Sequence, residues 1–392
     1  MNRGEIVTLD IGAVAHGGHC VARLDELVIF VRHALPGEKV RARITEVRKG
    51  YLRADAINVL TASPDRVDPP CPYAGPGLCG GCDFQHATPE AQRALKADVI
   101  REQLIRLGGM SRVDVEVEEL PGGPLGWRTR VQYAVDPEGR LGFHPVRSNA
   151  VLPVDRCLIA APGVQKSGVI KQRWSGVDAV EVVAPSTGGN TVLTRRGRGR
   201  PRVVRGPAMI REDAIGRTWD LPAEAFWQIH PSAPDTFVQA VLDMLDPQPG
   251  ERVLDLYSGA GLFAAAFAQA VGVTGSVTVV EAGLAAAEGA AGVLDEFPQV
   301  NIVTDRVERA LADLGLADLV ILDPPRSGAG SGVVAEVVAS GARAVAYVAC
   351  DPAALARDVK TFAGYRWRLA ALRAFDAFPM THHVECIAML TP

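Results

Sequence analysis

The spacing of apolar positions changes twice along the chain and divides it into three stretches. From Ile6 to about Val59, short β-rich runs such as Leu27-Val28-Ile29-Phe30-Val31 and Glu38-Lys39-Val40-Arg41-Ala42-Arg43-Ile44 are separated by turns at Gly17-Gly18 and Pro36-Gly37, which predicts a small β-barrel. Ser63-Pro64-Asp65-Arg66-Val67-Asp68-Pro69-Pro70 reads as a linker, because its prolines can continue neither a helix nor a central strand. Between Pro89 and Leu107, apolar Leu95, Val99, Leu104 and Leu107 recur at helical spacing, with Thr88 as cap and Pro89 as first helical residue. Residues from about Trp127 to Arg217 are again strand-like, with glycine turns.

From Gly250 onward strands and helices alternate, the sign of an open parallel sheet. Arg252 to Tyr257 predicts a strand, Ser258-Gly259-Ala260-Gly261 a tight turn and Leu262 to Val271 a helix. Further strands at Ser276–Val280, about 300–303, 319–322, 344–349, 367–375 and 384–390 give an α/β fold with a seven-stranded sheet. Ligands collect at the carboxyl ends of such strands, and Asp255, Glu281, Asp305, Asp323 and Cys350 all fall there. The expected division is 1–62 barrel, 63–220 central β-rich domain and 221–392 α/β domain.

With 392 residues, 48% of them hydrophobic, the chain can fill several cores. Its net charge of −4 argues against a surface that grips a polyanion everywhere. Any basic patch must be local. The densest candidate is Arg195-Arg196-Gly197-Arg198-Gly199-Arg200-Pro201-Arg202 with Arg205, which fits either a polyanion contact or a solvated hairpin loop. No stretch reads as a signal peptide or a membrane span, so a cytoplasmic protein is expected.

Seven cysteines are unevenly spread. Cys71, Cys79 and Cys82 share one proline- and glycine-rich loop, and such a cluster in a reducing compartment ligates metal more often than it forms disulfides. Cys157 is the nearest candidate for a fourth ligand. Four thiolates suit a structural zinc or an iron-sulfur cluster, and spacing does not choose between them. Cys20 and Cys386 read as packed or incidental thiols.

The glycine turn alone is ambiguous, since Gly259-x-Gly261-x-x-Ala264 with Glu281 downstream also fits a loose dinucleotide fingerprint and hence a dehydrogenase. Asp323-Pro324-Pro325-Arg326 points elsewhere, to a rigid loop that presents polar groups to a planar substrate, as in many methyltransferases. On that reading Gly259 and Gly261 let the backbone approach the amino-acid end of S-adenosylmethionine, Glu281 takes ribose hydroxyls and Asp305 lies near adenine. Cys350, in Tyr347-Val348-Ala349-Cys350-Asp351-Pro352, and Glu385, in His383-Val384-Glu385-Cys386, add a nucleophile and a base. A thiolate can add to an electron-poor ring and a carboxylate can then take a proton from it, the pair needed to methylate C5 of a uracil.

These residues resemble the RNA uracil-C5 methyltransferases that modify ribosomal or transfer RNA, nearly end to end. Ala34-Leu35-Pro36-Gly37-Glu38 is similar to the TRAM domain, an RNA-binding barrel of the oligonucleotide-binding type. The resemblance implies that Cys71, Cys79, Cys82 and Cys157 hold a [4Fe-4S] cluster, favoured over zinc. It also implies that Gln228 in Phe226-Trp227-Gln228-Ile229, with Tyr257, Glu281, Asp323 and Asp305, meets the cofactor. Cys350 matches the nucleophile and Glu385 the general base. The target is RNA, ribosomal favoured over transfer, and the enzyme is expected to be a monomer with no obligate protein partner. His230, Leu262 and Asp351 depart from the usual family residues, which bears on selectivity rather than on chemistry.

On this mechanism Cys350 adds to C6, C5 accepts the methyl and Glu385 removes the C5 hydrogen. A thiol near its ordinary pKa is mostly protonated at neutral pH, so a lowered Cys350 pKa is expected, supplied by the N-terminus of a helix beginning near Pro352. The base must be flipped out or presented in a loop. The rival readings are an exocyclic-nitrogen base methyltransferase, which needs no covalent cysteine, and a non-catalytic iron-sulfur RNA-binding protein.

Overall fold

The computed structural model describes residues 1–392. Strands Ile6–Ala15, His19–Leu24, Leu27–Arg32, Lys39–Val47 and Tyr51–Thr61 close into a barrel, with the fifth strand lying between the third and the fourth. Alternation drives the closure. In Lys39–Val47, Val40, Ala42 and Ile44 point into the barrel core while Arg41 and Arg43 face water. The segment expected to be a linker is clamped to this barrel, because Arg66 donates from Nε and Nη2 to the buried Glu38 carboxylate at 2.5 and 2.7 Å.

Helix Pro89–Arg106 starts as expected, with Thr88 Oγ1 accepting from the Ala91 N–H and Pro89 at the first position. It is buried on two sides. Leu95 and Val99 join the barrel core, while Ala97, Ile100 and Leu104 join the core of the C-terminal sheet. Polar Gln92, Lys96 and Gln103 are buried as well, which a simple amphipathic reading does not anticipate. Lys96 Nζ reaches Asp376 Oδ1 at 2.5 Å and the Phe378 carbonyl at 3.0 Å. Removing one member of such a buried pair costs about 3–5 kcal/mol, so the helix is fixed to the sheet.

The central region forms a six-stranded sheet in the order Arg202–Arg205, Thr191–Arg195, Ala179–Val183, Arg130–Val135, Leu141–Phe143, Leu152–Pro153. A hairpin follows, Met209–Ala214 and Arg217–Pro222, and buries Ile210, Ala214, Trp219 and Leu221 in the C-terminal core. Packing is therefore continuous across residue 220.

The C-terminal sheet runs Val300–Val303, Ser276–Val280, Arg252–Leu256, Leu319–Leu322, Ala344–Ala349, Glu385–Thr391, Arg368–Asp376, Val117–Glu119. The first five strands are parallel, and Glu385–Thr391 is antiparallel to its neighbours on both sides. All seven expected strands are present. The eighth, Val117–Glu119, pairs in parallel with Arg368–Asp376; three residues are too few to announce themselves by periodicity. Strand order reverses between Arg252–Leu256 and Leu319–Leu322, the crevice where ligands of open α/β sheets bind. No helix is long and apolar enough to cross a membrane.

Candidate active site

Strand order converts scattered residues into a row. Along the carboxyl edge of the parallel strands lie Asp305, Glu281, Asp255 with the glycine turn, Asp323 and Cys350, each at or just beyond the end of its strand. Glu385 begins the next strand, which is antiparallel, so its amino end shares this edge; Ala349 pairs with Cys386, leaving Cys350 and Glu385 as the next positions outward. Neighbouring strands are about 4.8 Å apart, so the row spans roughly 24 Å from Asp305 to Glu385.

The glycine turn forms one end of the working region. Tyr257, Gly259 and Gly261 all have positive φ, at 61, 58 and 76°. At Gly261 a Cβ would also meet Leu294 Cδ1 at 3.0 Å and Ala290 Cβ at 3.2 Å, so only glycine fits there. Glu281 ties the turn down, accepting from the Gly259 N–H at 2.9 Å and the Gly283 N–H at 2.5 Å. Tyr257 donates its hydroxyl to Glu308 at 3.2 Å, and Asp305 accepts from the Arg306 N–H at 2.7 Å. Gln228 is half-buried. Its neighbour Trp227 packs on Trp219 at 5.2 Å, whose indole N–H donates to the Ala260 carbonyl in the turn. The Gln228 segment and the glycine turn are thus held by one aromatic pair.

Asp255 Oδ2 accepts from the Ala264 N–H at 2.9 Å, but Asp255 Oδ1 and Ser258 Oγ are buried without a partner. Orphaned buried polar atoms are rare and cost about 1–3 kcal/mol each, so a polar ligand seated at this turn has groups waiting for it. Burial raises Asp255 to about 8 and Asp323 to about 7, and Glu281 adds to both. A cationic ligand would favour the ionised forms of these carboxyls, which suits a sulfonium cofactor.

The other end is a cavity of about 290 Å³. Cys350 lines it together with Arg326, Trp127, Arg128, His382 and His383. The expected lowering of the Cys350 pKa is not found. Burial pushes the thiol up to about 11; Glu385 adds to this and Arg326 opposes it. Helix Pro352–Gly364 does begin beside Cys350, but Asp351 Oδ1 caps it by accepting from the Ala354 N–H at 2.8 Å, placing an anion at its positive end. Glu385 is buried, and its pKa is raised well above the carboxylate range by desolvation, then by Asp323, against Arg326.

Several groups in the wall and in contact around it escaped the sequence reading. His382 Nδ1 lies 2.6 Å from Asp83 Oδ2, and Arg32 of the barrel donates to Asp83 Oδ1 at 2.8 Å. His16, also of the barrel, places Nε2 at 3.1 Å from Asp351 Oδ2. The buried Trp127 Nε1 and His230 Nε2 have no partner, and the two rings stack at 6.0 Å. No periodicity links residues 16, 32 and 83 to residue 382. The one available signal was adjacency, Asp83 following the third clustered cysteine and His382 preceding the His-Val-Glu run.

The cysteine loop adjoins this cavity through Gly80 and Gly81. Tyr73 hydroxyl donates to Asp155 at 2.9 Å, Cys71 N–H donates to Gln85, and Gly80 N–H donates to the His144 carbonyl, so the loop is tied to the segment that leads into Cys157. Burial raises Cys79 to about 11 and Cys82 to about 12, and each is raised further by Cys157. The thiols are electrostatic neighbours, and the all-thiol donor set in half-buried surroundings is chemically suited to zinc or an iron-sulfur cluster. They are not drawn in to coordination spacing, since no three His, Cys, Asp or Glu side chains are placed to hold a metal ion. Cys20 and Cys386 are buried, as expected of packed thiols.

Comparison with known proteins matches residues 1–57 to the TRAM domain and residues 217–392 to the tRNA (uracil-5-)-methyltransferase family. An uncharacterized RNA methyltransferase of Streptomyces avermitilis is 48% identical, over 99% of both chains. The 23S rRNA (uracil(1939)-C(5))-methyltransferase RlmD of Alkalilimnicola ehrlichii is 34% identical, over 97% of this chain and 95% of its own. Among solved structures, the Pyrococcus abyssi tRNA (uracil-54, C5)-methyltransferase in complex with S-adenosyl-L-homocysteine superposes with a TM-score of 0.73 at 22% identity, covering 97% of this chain and all of that one.

Proposed function

The chain belongs to the TRAM-domain RNA uracil-C5 methyltransferase family, which uses S-adenosylmethionine, and from that premise we propose that it methylates C5 of a uridine in ribosomal RNA through a covalent bond between Cys350 and C6. What supports this reading is one juxtaposition: a thiol and a buried carboxyl facing one another across the Ala349–Cys386 register, on the same sheet edge as a glycine turn with unpaired polar atoms. The family match, rather than the thiol, sets the dehydrogenase reading aside.

S-adenosylmethionine supplies the methyl group and, as a sulfonium, a positive charge. The chain does the rest. Gly259 and Gly261 admit the cofactor's amino-acid end, Glu281 and Asp305 take the ribose and adenine side, and Gln228, Tyr257 and Asp323 complete the pocket. Cys350 adds to C6 of an extruded uracil, which makes C5 nucleophilic enough to accept the methyl; Glu385 then takes the C5 hydrogen and the C6–S bond breaks, returning the thiolate. In the resting site Glu385 raises the Cys350 thiol, and Arg326 is the cation that lowers both. With Arg326 already opposing it, burial still holds the thiol up at about 11, so ionisation of Cys350 depends on further positive charge, such as that of the bound cofactor, rather than on a helix terminus.

Cys71, Cys79, Cys82 and Cys157 would hold a [4Fe-4S] cluster in preference to zinc. Its role would be structural or RNA-positioning, because the reaction transfers no electron. The protein acts as a cytoplasmic monomer on this reading. Mass spectrometry of digested RNA from cells lacking the protein tests the function: one 5-methyluridine is expected to vanish from ribosomal RNA. Loss of a base methylated on nitrogen, or loss confined to transfer RNA, would overturn the chemistry or the substrate, respectively.

A further inference from the structure

We propose that the hairpin loop between strands Thr191–Arg195 and Arg202–Arg205 is a second RNA-binding surface, gripping the single-stranded backbone that flanks the target uridine. A cleft of about 800 Å³ opens there, lined by Trp174 together with Arg173, Arg196, Arg200 and Arg202. Arg195 and Arg198 extend the positive surface along the loop. None of these arginines forms an ion pair, whereas Arg32, Arg66, Arg140, Arg217, Arg343 and Arg373 elsewhere all do. The carboxylates nearby are already engaged. Asp178 accepts from the Gly197 N–H at 2.6 Å and so holds the loop, while Asp136 and Glu138 both bind Arg140. In a chain of net charge −4, this leaves a concentrated excess of positive charge at one place.

The register fixes how far it lies from the chemistry. Arg130 sits at the end of its strand near the cavity-lining Arg128, and Ala134, four residues on, is level with Ala179, which pairs with Arg195. Four steps at about 3.4 Å put the loop roughly 14 Å further along the sheet. It cannot touch the reacting base, and it is well placed to hold phosphates a few nucleotides away. Trp174 is fixed by its indole N–H to the Val169 carbonyl at 3.0 Å, presenting a flat wall on which an unstacked base can lie. The inference draws on the family only for the identity of the polyanion as RNA.

The test compares the full-length protein with the triple variant Arg198→Ser, Arg200→Ser, Arg202→Ser, using fluorescence anisotropy on a long single-stranded RNA and on a short oligonucleotide that spans only the target uridine. The variant is expected to bind the long RNA at least ten-fold more weakly, with a salt dependence shallower by roughly 2 for three lost phosphate contacts, while binding of the short oligonucleotide is unchanged. A duplex of equal length is expected to bind less well than the single strand. Unchanged affinity and salt slope would refute the surface, as would equal weakening on the short oligonucleotide; equal binding of the duplex would refute the single-strand assignment. Because the readout is binding, a wild-type protein that makes no 5-methyluridine would refute the catalytic reading and leave this one standing.

Discussion

The two edges of the C-terminal sheet both carry carboxyl groups and use them in opposite ways. At the amino edge, Glu251 pairs with Arg343 at 2.6 Å and Asp318 accepts from the Arg252 N–H at 2.8 Å, and these contacts hold both carboxyls below the usual range. At the carboxyl edge, Asp255, Asp323 and Glu385 have no ion-pair partner and burial holds all three above it. One edge is satisfied by the chain itself. The other is left unsatisfied, at a cost in stability, and only a bound ligand can complete it.

The sharpest way to break this comparison is at the thiol. Cys350→Ala is expected to abolish methyl transfer while cofactor binding by calorimetry survives; residual turnover near the wild-type rate would remove the covalent route and favour methylation of an exocyclic nitrogen. Glu385→Gln is expected to stall after methylation, so that an RNA-linked protein band persists on a denaturing gel. An absence of that band would deny Glu385 its role as base.

The next effect is on stability. Asp255 shifts from 3.8 to about 8 through burial, so the folded chain keeps a proton that the unfolded chain gives up. Its contribution is full below pH 3.8 and is lost as pH rises through about 8. Asp255→Asn should therefore stabilise the ligand-free protein at pH 8 by an amount on the order of a few kcal/mol and have little effect near pH 4. Urea titrations at the two pH values would show it, and equal effects at both would contradict the buried-proton picture.

The smallest effect belongs to the amino edge. Arg343→Gln should cost only about 0.5 kcal/mol, because the pair is partly exposed, and the loss should shrink in molar salt. The pH sign is reversed here: Glu251 and Asp318 are lowered, so their contribution is present at neutral pH and disappears as acid protonates them. For the cysteine loop, an anaerobic preparation is expected to be brown, with visible absorbance; a colourless protein with stoichiometric zinc would replace the cluster assignment.

Local patterns were legible wherever backbone geometry or packing period made one residue type necessary. Thr88 and Pro89 announce a helix start, the fully apolar Leu319–Leu322 announces a buried parallel strand, and Gly261 marks a turn that no side chain could enter. The edge row was legible too, since each residue follows an apolar run and open α/β sheets gather ligands at strand ends. The thiol's proton affinity was not. A following helix suggested a lower pKa, but burial, Glu385 and the capping Asp351 are properties of neighbours in space. The Arg32–Asp83–His382 chain joins the barrel, the cysteine loop and the last strand connection, three places that share no period.

The sequence by itself determined which segments become barrel, helix and parallel strand, and which residues stand at strand ends, because these follow from repeating local preferences and from apolar runs that must be buried. Only the tertiary structure decided which ends become neighbours and what charge each group then carries. It set Glu385 opposite Cys350 by antiparallel register and left Asp255 without a counter-charge, and it joined the barrel's Arg32 to Asp83 and its His16 to Asp351. Proton affinities depend on distance and dielectric, which exist only once the chain is packed.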